Sequence, residues 1–191
     1  MKERIIIKKN STLRLTITAL LTAIAIAIPM VMPIKVLIEP ASFTLASHVP
    51  IFFALFFSPG VAVSVSIGSA IGFLLAGFPI VVTLRALSHV FFAFIGALYL
   101  KNRRESLLAS PVKSQIFSFW IGLVHGIAEV IVVSLFFFGL LPGAEYQDGF
   151  FYAVFLLVGV GTVIHSMVDF FLAQIVWKSL GKRMTRLAKR I

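Results

Sequence analysis

Long apolar runs separated by short polar connections dominate the chain. The first covers residues 12–37 and carries Pro29 and Pro33 in its last turns. A kink or unwound end is tolerated there if protein or water covers the freed carbonyls. The polar connection IKVLIEPASFTLAS leads into a shorter run over 45–57, which stops at the turn Ser58-Pro59-Gly60. Further runs cover 61–78 and 79–100, and after the basic stretch KNRRESLLASPVKSQ come runs over 116–141 and 150–177, joined by PGAEYQDG. A helix needs about 20 apolar residues to cross roughly 30 Å of hydrocarbon. The pattern therefore predicts an all-α bundle of six transmembrane helices, one integral membrane domain over residues 1–191. The second run is the weakest of the six.

Composition agrees: 60% of the 191 residues are apolar, 13% are charged and mean hydropathy is +1.06, leaving too few polar groups to coat a water-soluble globule. Cysteine is absent, which excludes disulfides, thiolate metal sites and a cysteine nucleophile. Charge then sets an orientation. Lys2, Arg4, Lys8, Lys9 and Arg14 lie in the N-terminal arm; Lys101, Arg103, Arg104 and Lys113 lie in the middle loop; Lys178, Lys182, Arg183, Arg186, Lys189 and Arg190 lie in the tail. These are 15 of the 17 cations, and six crossings put all three clusters on one side, so both termini are expected to be cytoplasmic. The net charge of +10 does not point to nucleic acid, because no aromatic residues are interleaved for base stacking. Anionic membrane lipids are the expected partner of these cations.

Ionisable residues inside the runs are few: Arg85 and His89, His125 and Glu129, His165 and Asp169. Each pair is spaced by four, so each occupies one helix face. A charge at mid-bilayer costs about 2.5–3.5 kcal/mol on insertion scales, which argues for three polar faces converging on one interior. The competing reading is structural: Arg85 paired with Glu129, for instance, would fix helix register without a ligand. His48, before VPIFF, reads as interfacial. Small residues form stripes, Ser64, Gly68, Gly72 and Ala76 in the third run and Gly122 and Gly126 in the fifth, with close helix packing as the default meaning. Ala19, Ala23 and Ala27 make a similar stripe in the first run.

No enzyme signature accompanies these faces. Neither HGIAE nor HSMVD supplies the H-E-x-x-H of a zinc protease, IGSAIG lacks a Gly-x-Ser turn, and no phosphate-binding P-loop is present. The chain is expected to be neither an enzyme nor an ATPase, and to use no cofactor. A stand-alone secondary carrier remains an alternative.

The stretch ALLTAIAIAIPM, the loop-to-span EPASFTLASHVPIFFALFFSPG and the following IGSAIGFLLAGFPIVVTLRALSHVFFAFIGALYL resemble the substrate-binding S-components of energy-coupling factor (ECF) vitamin transporters, over essentially the whole chain. That resemblance implies a multi-pass protein of a prokaryotic plasma membrane. It implies docking through an A-x-x-x-A stripe, here Ala19, Ala23 and Ala27, on a scaffold transmembrane subunit that joins two ATPase subunits. It also implies a vitamin held among helices four to six, by Arg85, His89, His125, Glu129, His165 and Asp169. The lid over it would come from the loop after the first helix, with Glu39, Ser42, Phe43 and Thr44. The protein would topple in the membrane to release its cargo. Arg85 suits a carboxylate ligand such as niacin or pantothenate, since a guanidinium grips a carboxylate through two parallel hydrogen bonds. EPASFTLASHVP is most similar to niacin-type S-components; pyridoxine or hydroxymethylpyrimidine, accepted by Glu129 and Asp169, is the alternative. Nickel and cobalt S-components begin with a Met-His arm, whereas this chain begins MKER, so no metal is expected.

Overall fold

The computed structural model describes residues 10–38, 40–143, 146 and 148–190. Helix α1 spans Ser11–Val31, capped by Asn10, whose side chain accepts from the Leu13 amide at 3.0 Å. A two-stranded antiparallel hairpin follows, β1 Lys35–Ile38 and β2 Ala41–Thr44, in the register Lys35 opposite Thr44 and Ile38 opposite Ala41. Next come α2 Val49–Leu55, α3 Pro59–Leu75, α4 Ile80–Leu100, the short α5 Arg104–Ala109 and α6 Pro111–Phe137. A wide-turned π-helical stretch, Phe151–Val160, runs directly into α7, Gly161–Lys189.

The first helix ends six residues before the expected Leu37. Pro33 disfavours helical backbone in the residue before it, and Met32 is extended at φ −66°, ψ 119°. The freed Pro29 carbonyl is satisfied by Lys35 Nζ at 2.6 Å. The expected all-α architecture thus gains a hairpin between α1 and α2. The second run is a helix of only 7 residues, about 10 Å long at 1.5 Å per residue, with Pro50 to Leu55 all buried. Among the described residues, four helical stretches are long and apolar enough to cross a membrane: α1, α4, α6 and the joined Phe151–Lys189; α3, with 17 residues, is shorter.

Two apolar clusters hold the bundle. Phe52, Phe56, Phe92, Phe170 and Trp177 join α2, α4 and α7, and Phe73, Val82, Val133, Phe136 and Val154 join α3, α4, α6 and the π-helical stretch. The outer surface is apolar too: Phe91 is 63% exposed, Trp120 61%, and Ile127 and Ile164 60% each. A water-soluble protein would not display such a continuous apolar exterior, which is what a lipid environment requires. The glycine stripes serve packing within the chain. A Cβ on Gly72 would sit 2.6 Å from the Ile26 carbonyl oxygen of α1, and one on Gly68 would meet the Thr22 side chain. Gly122 and Gly126 face Val163 and Gly159 in the same way.

At the basic end, Arg104 Nη1 donates to the Phe56 carbonyl, and Lys189 Nζ lies 2.9 Å from Glu105. The hydrogen bond from Lys189 holds the Glu105 carboxyl below its ordinary pKa. The N-terminal cations Lys2, Arg4, Lys8 and Lys9 lie outside the described residues, as does Glu39 of the expected lid.

Candidate functional site

The four-residue spacings act as the helix period requires. Arg85 and His89 of α4, His125 and Glu129 of α6, and Asp169 of α7 all turn inward and are buried; His165 is nearly so, its side chain 13% exposed. All six converge between the two apolar clusters, organised around two carboxylates.

Glu129 is the first centre. It accepts from Arg85 Nη2 at 2.7 Å, from His89 Nε2 at 3.2 Å and from the Thr162 hydroxyl. His125 Nε2 approaches Oε1, the oxygen that His89 engages, at 3.3 Å without hydrogen-bond alignment. The Arg85–Glu129 pair anticipated as a register device is therefore present. The same guanidinium also donates, through Nη1, to the Pro40 carbonyl at 2.7 Å, tying α4 to the hairpin turn.

Asp169 is the second centre. Its Oδ1 accepts from the Ala46 amide at 3.1 Å, and its Oδ2 from the His48 amide and His48 Nδ1, each at 3.0 Å. Asp169 thus clamps the turn between β2 and α2. Ala46 sits at φ 63°, a left-handed conformation that costs an alanine about 1–2 kcal/mol, and the charged acceptor offsets that strain.

His48 is the residue that sequence reasoning misjudged. It is 5% exposed, not interfacial, and stands at the centre of the cluster. Its ring centroid lies 4.6 Å from His89, 4.7 Å from His125 and 4.9 Å from His165. All four histidines of the chain therefore meet at one place. The available signal was that count: three of four histidines already belonged to the polar faces. Thr162 was also missed, although it lies one turn before His165 on the same face of the last run.

Between these centres and the hairpin is a small cavity of about 20 Å³, lined by Ser42, Phe43, Ser47, His48, Phe73 and Val82, and by Arg85, Ala86, His89, Glu129, Thr162 and His165. Of the six expected residues, Arg85, His89, Glu129 and His165 reach it; His125 and Asp169 stand behind them. Of the expected lid, Ser42 and Phe43 line it, and Thr44 is buried nearby. Phe43 rests on Gly161, where an added Cβ would lie 2.7 Å from the ring tip, and its ring is 5.5 Å from His165. The space holds roughly one water, too little for an organic ligand unless the cavity widens.

Chemically, the cavity offers a cation, several imidazole nitrogens, the hydroxyls of Ser42 and Ser47 and an aromatic wall, while the Glu129 carboxylate on it is already engaged. Residues 9–186 match a family model described as ECF-type riboflavin transporter, S component. The chain is 42% identical over 166 residues to a protein of Lactococcus lactis subsp. cremoris (strain MG1363), the niacin transporter NiaX, covering 87% of this chain and 73% of that protein. No solved structure matches the chain. A family match over nearly the whole chain, on a helical bundle with an apolar exterior and a buried polar cavity, shows that this protein belongs to the S-component family of ECF transporters.

Proposed function

We propose that the chain captures niacin at the outer membrane face and delivers it as the S-component of an ECF-type importer. The observation that carries the substrate is the cavity itself. It is small, and Arg85 is one of its walls. A single-ring carboxylate fits such a site after a modest lift of the hairpin, whereas the three fused rings of riboflavin would need the helices to part. The similarity to a niacin transporter supports the same choice.

Arg85 has a group to offer. Among the described residues, its Nε is buried without a hydrogen-bond partner, and its Nη1 is held by the Pro40 carbonyl of the hairpin. A ligand carboxylate replaces that carbonyl as the hairpin lifts and takes both nitrogens. Phe43 then closes over the ring, with His48, His89 and His165 at its polar edge. Pyridoxine or hydroxymethylpyrimidine is the weaker choice. Those ligands donate hydrogen bonds, and the acceptors proposed for them, Glu129 and Asp169, each already accept three.

The partners follow from the exterior. Ala19 and Ala23 are exposed and Ala27 half-buried on α1, while Ala25, off that stripe, is buried. This bare face is the proposed seat for the scaffold transmembrane subunit that carries two ATPase subunits. Six crossings with both termini cytoplasmic place the three basic clusters against anionic lipid, with α2 and its flanking turns as the short second crossing. Without a partner the chain is expected to bind but not to pump.

The test is calorimetric titration of the purified chain with nicotinate, riboflavin and pyridoxine in turn. Tight binding of nicotinate with one site per chain, and none of riboflavin, supports the proposal. Preference for riboflavin or pyridoxine would overturn the substrate assignment. Nicotinate uptake by liposomes containing this chain alone would instead identify a stand-alone carrier.

A further inference from the structure

The convergence of all four histidines exceeds what holding one small carboxylate requires. Two carboxylates fix which nitrogens carry hydrogen. Asp169 is an acceptor, so His48 Nδ1, 3.0 Å away, is the donor and the lone pair lies on Nε2. Glu129 likewise engages His89 Nε2 and leaves the lone pair on Nδ1, which is buried with no hydrogen-bond partner among the described residues. His125 is fully buried, and among the described residues neither of its ring nitrogens makes an aligned hydrogen bond, although Nε2 lies 3.3 Å from Glu129. Leaving a buried polar atom unpaired costs about 1–3 kcal/mol. Unpaired imidazole nitrogens gathered in one place call for an electron-pair acceptor.

Their geometry fits one. The rings of His48, His89 and His125 form a near-equilateral triangle, with centroid separations of 4.6, 4.7 and 4.6 Å. One nitrogen from each lies within 4.8 Å of the other two. Tetrahedral coordination at about 2.0–2.1 Å needs donors roughly 3.4 Å apart, within reach of ring movements of about 1 Å. Asp169 behind His48 and Glu129 beside His89 are outer carboxylates of the kind that orient metal-binding imidazoles and raise their basicity.

We propose that His48, His89 and His125 form a three-imidazole site for a divalent transition-metal ion such as Zn²⁺ or Co²⁺, its fourth position open toward the cavity that His48 and His89 line. Charge completes the case, resting here on the monocarboxylate reading of the proposed function. With neutral imidazoles, Arg85, Glu129 and Asp169 leave one excess negative charge inside the bundle. A divalent ion reverses it, and a monocarboxylate brings the site to neutrality. The carboxylate or ring nitrogen of the vitamin is a suitable fourth ligand. Spacing along the chain gave no hint of this, because the three imidazoles come from three separate elements.

The test uses the full chain, purified without a histidine tag, stripped with chelator and titrated with Co²⁺ and Zn²⁺. The expected result is one ion per chain and, with Co²⁺, the intense visible absorption of a four-coordinate ion, altered by nicotinate. Removing the ion should weaken nicotinate binding at least tenfold. Asp169→Asn, which keeps all three imidazoles, should lower metal affinity by about 10- to 100-fold, the range for outer-shell partners. His89→Ala with His125→Ala should abolish stoichiometric binding, although His48, His165 and Asp169, which also lie within 4.8 Å of one another, remain in that variant; His165→Ala, which keeps all three proposed ligands, should leave the metal affinity unchanged. Absence of stoichiometric Co²⁺ or Zn²⁺ binding by the wild-type chain overturns the proposal, as does an unchanged metal affinity in the double variant. Nicotinate binding that is tight and indifferent to chelation overturns the metal site and leaves the niacin reading standing. Metal binding without any nicotinate binding keeps the site and removes the niacin reading.

Discussion

Replacing Arg85 by alanine perturbs the structure in two separable ways. The guanidinium links Glu129 at 2.7 Å to the Pro40 carbonyl at 2.7 Å, and its Nε has no hydrogen-bond partner among the described residues. Towards a carboxylate ligand, the loss is that of hydrogen bonds to a charged group, about 1.5–3 kcal/mol, or roughly a 10- to 150-fold rise in Kd. Towards stability, Arg85→Ala leaves Glu129 buried with the Thr162 hydroxyl and His89 as its remaining hydrogen-bond donors. Breaking one side of a buried ion pair costs about 3–5 kcal/mol. Arg85→Ala with Glu129→Gln should recover much of that stability without recovering affinity, because the stranded charge is gone but the ligand's cation is still missing. The assays are calorimetric titration with nicotinate and thermal unfolding in the same detergent. Unchanged nicotinate affinity in folded Arg85→Ala would refute the ligand role. Affinity restored in the double variant would show that Arg85 acts only by neutralising Glu129.

Three further perturbations have distinct outcomes. Asp169→Ala strands the Ala46 and His48 amides and frees a strained turn, so it should destabilise by several kcal/mol and speed amide hydrogen exchange at residues 46–48; unchanged exchange there would deny the clamp. Gly72→Leu drives a side chain into the Ile26 backbone and should lower thermal stability by about 1–3 kcal/mol or more, with no loss expected if α1 and α3 were not so closely packed. Ala23→Leu thickens an exposed stripe and should leave nicotinate affinity intact while stopping uptake in cells that express the full transporter; normal uptake would remove α1 as the docking face.

What the sequence disclosed followed from local periodicity. Spacing by four places Arg85 above His89, His125 above Glu129 and His165 above Asp169 whatever the bundle does, and the cost of burying them pulls all three faces inward. The glycines at 68, 72, 122 and 126 were legible for the same reason. What escaped notice depends on partners distant in sequence. His48 looks interfacial in its own neighbourhood and becomes central only because Asp169, 121 residues later, receives its amide and ring. The early end of α1 required weighing the Pro33 restraint above the apolar run that continues past it. The hairpin was hidden because its strands have only 4 residues each: most of KVLI continues the apolar run of the first helix, and ASFT reads as part of the polar connection. Asp169 was expected among the ligand-binding residues; its hold on the turn leading into α2 could not be read from spacing, because the Ala46 and His48 amides lie far away in sequence.

The central claim is that a small carboxylate vitamin lies beneath the hairpin, against Arg85. The natural chain has no cysteine, so Ser42→Cys introduces a single thiol on the cavity wall. Its alkylation rate by a small charged maleimide, measured with and without saturating nicotinate, reports directly on that location. The account predicts at least a tenfold slowing on nicotinate addition and no change with riboflavin. An alkylation rate indifferent to nicotinate, in protein shown by titration to bind it, would contradict it.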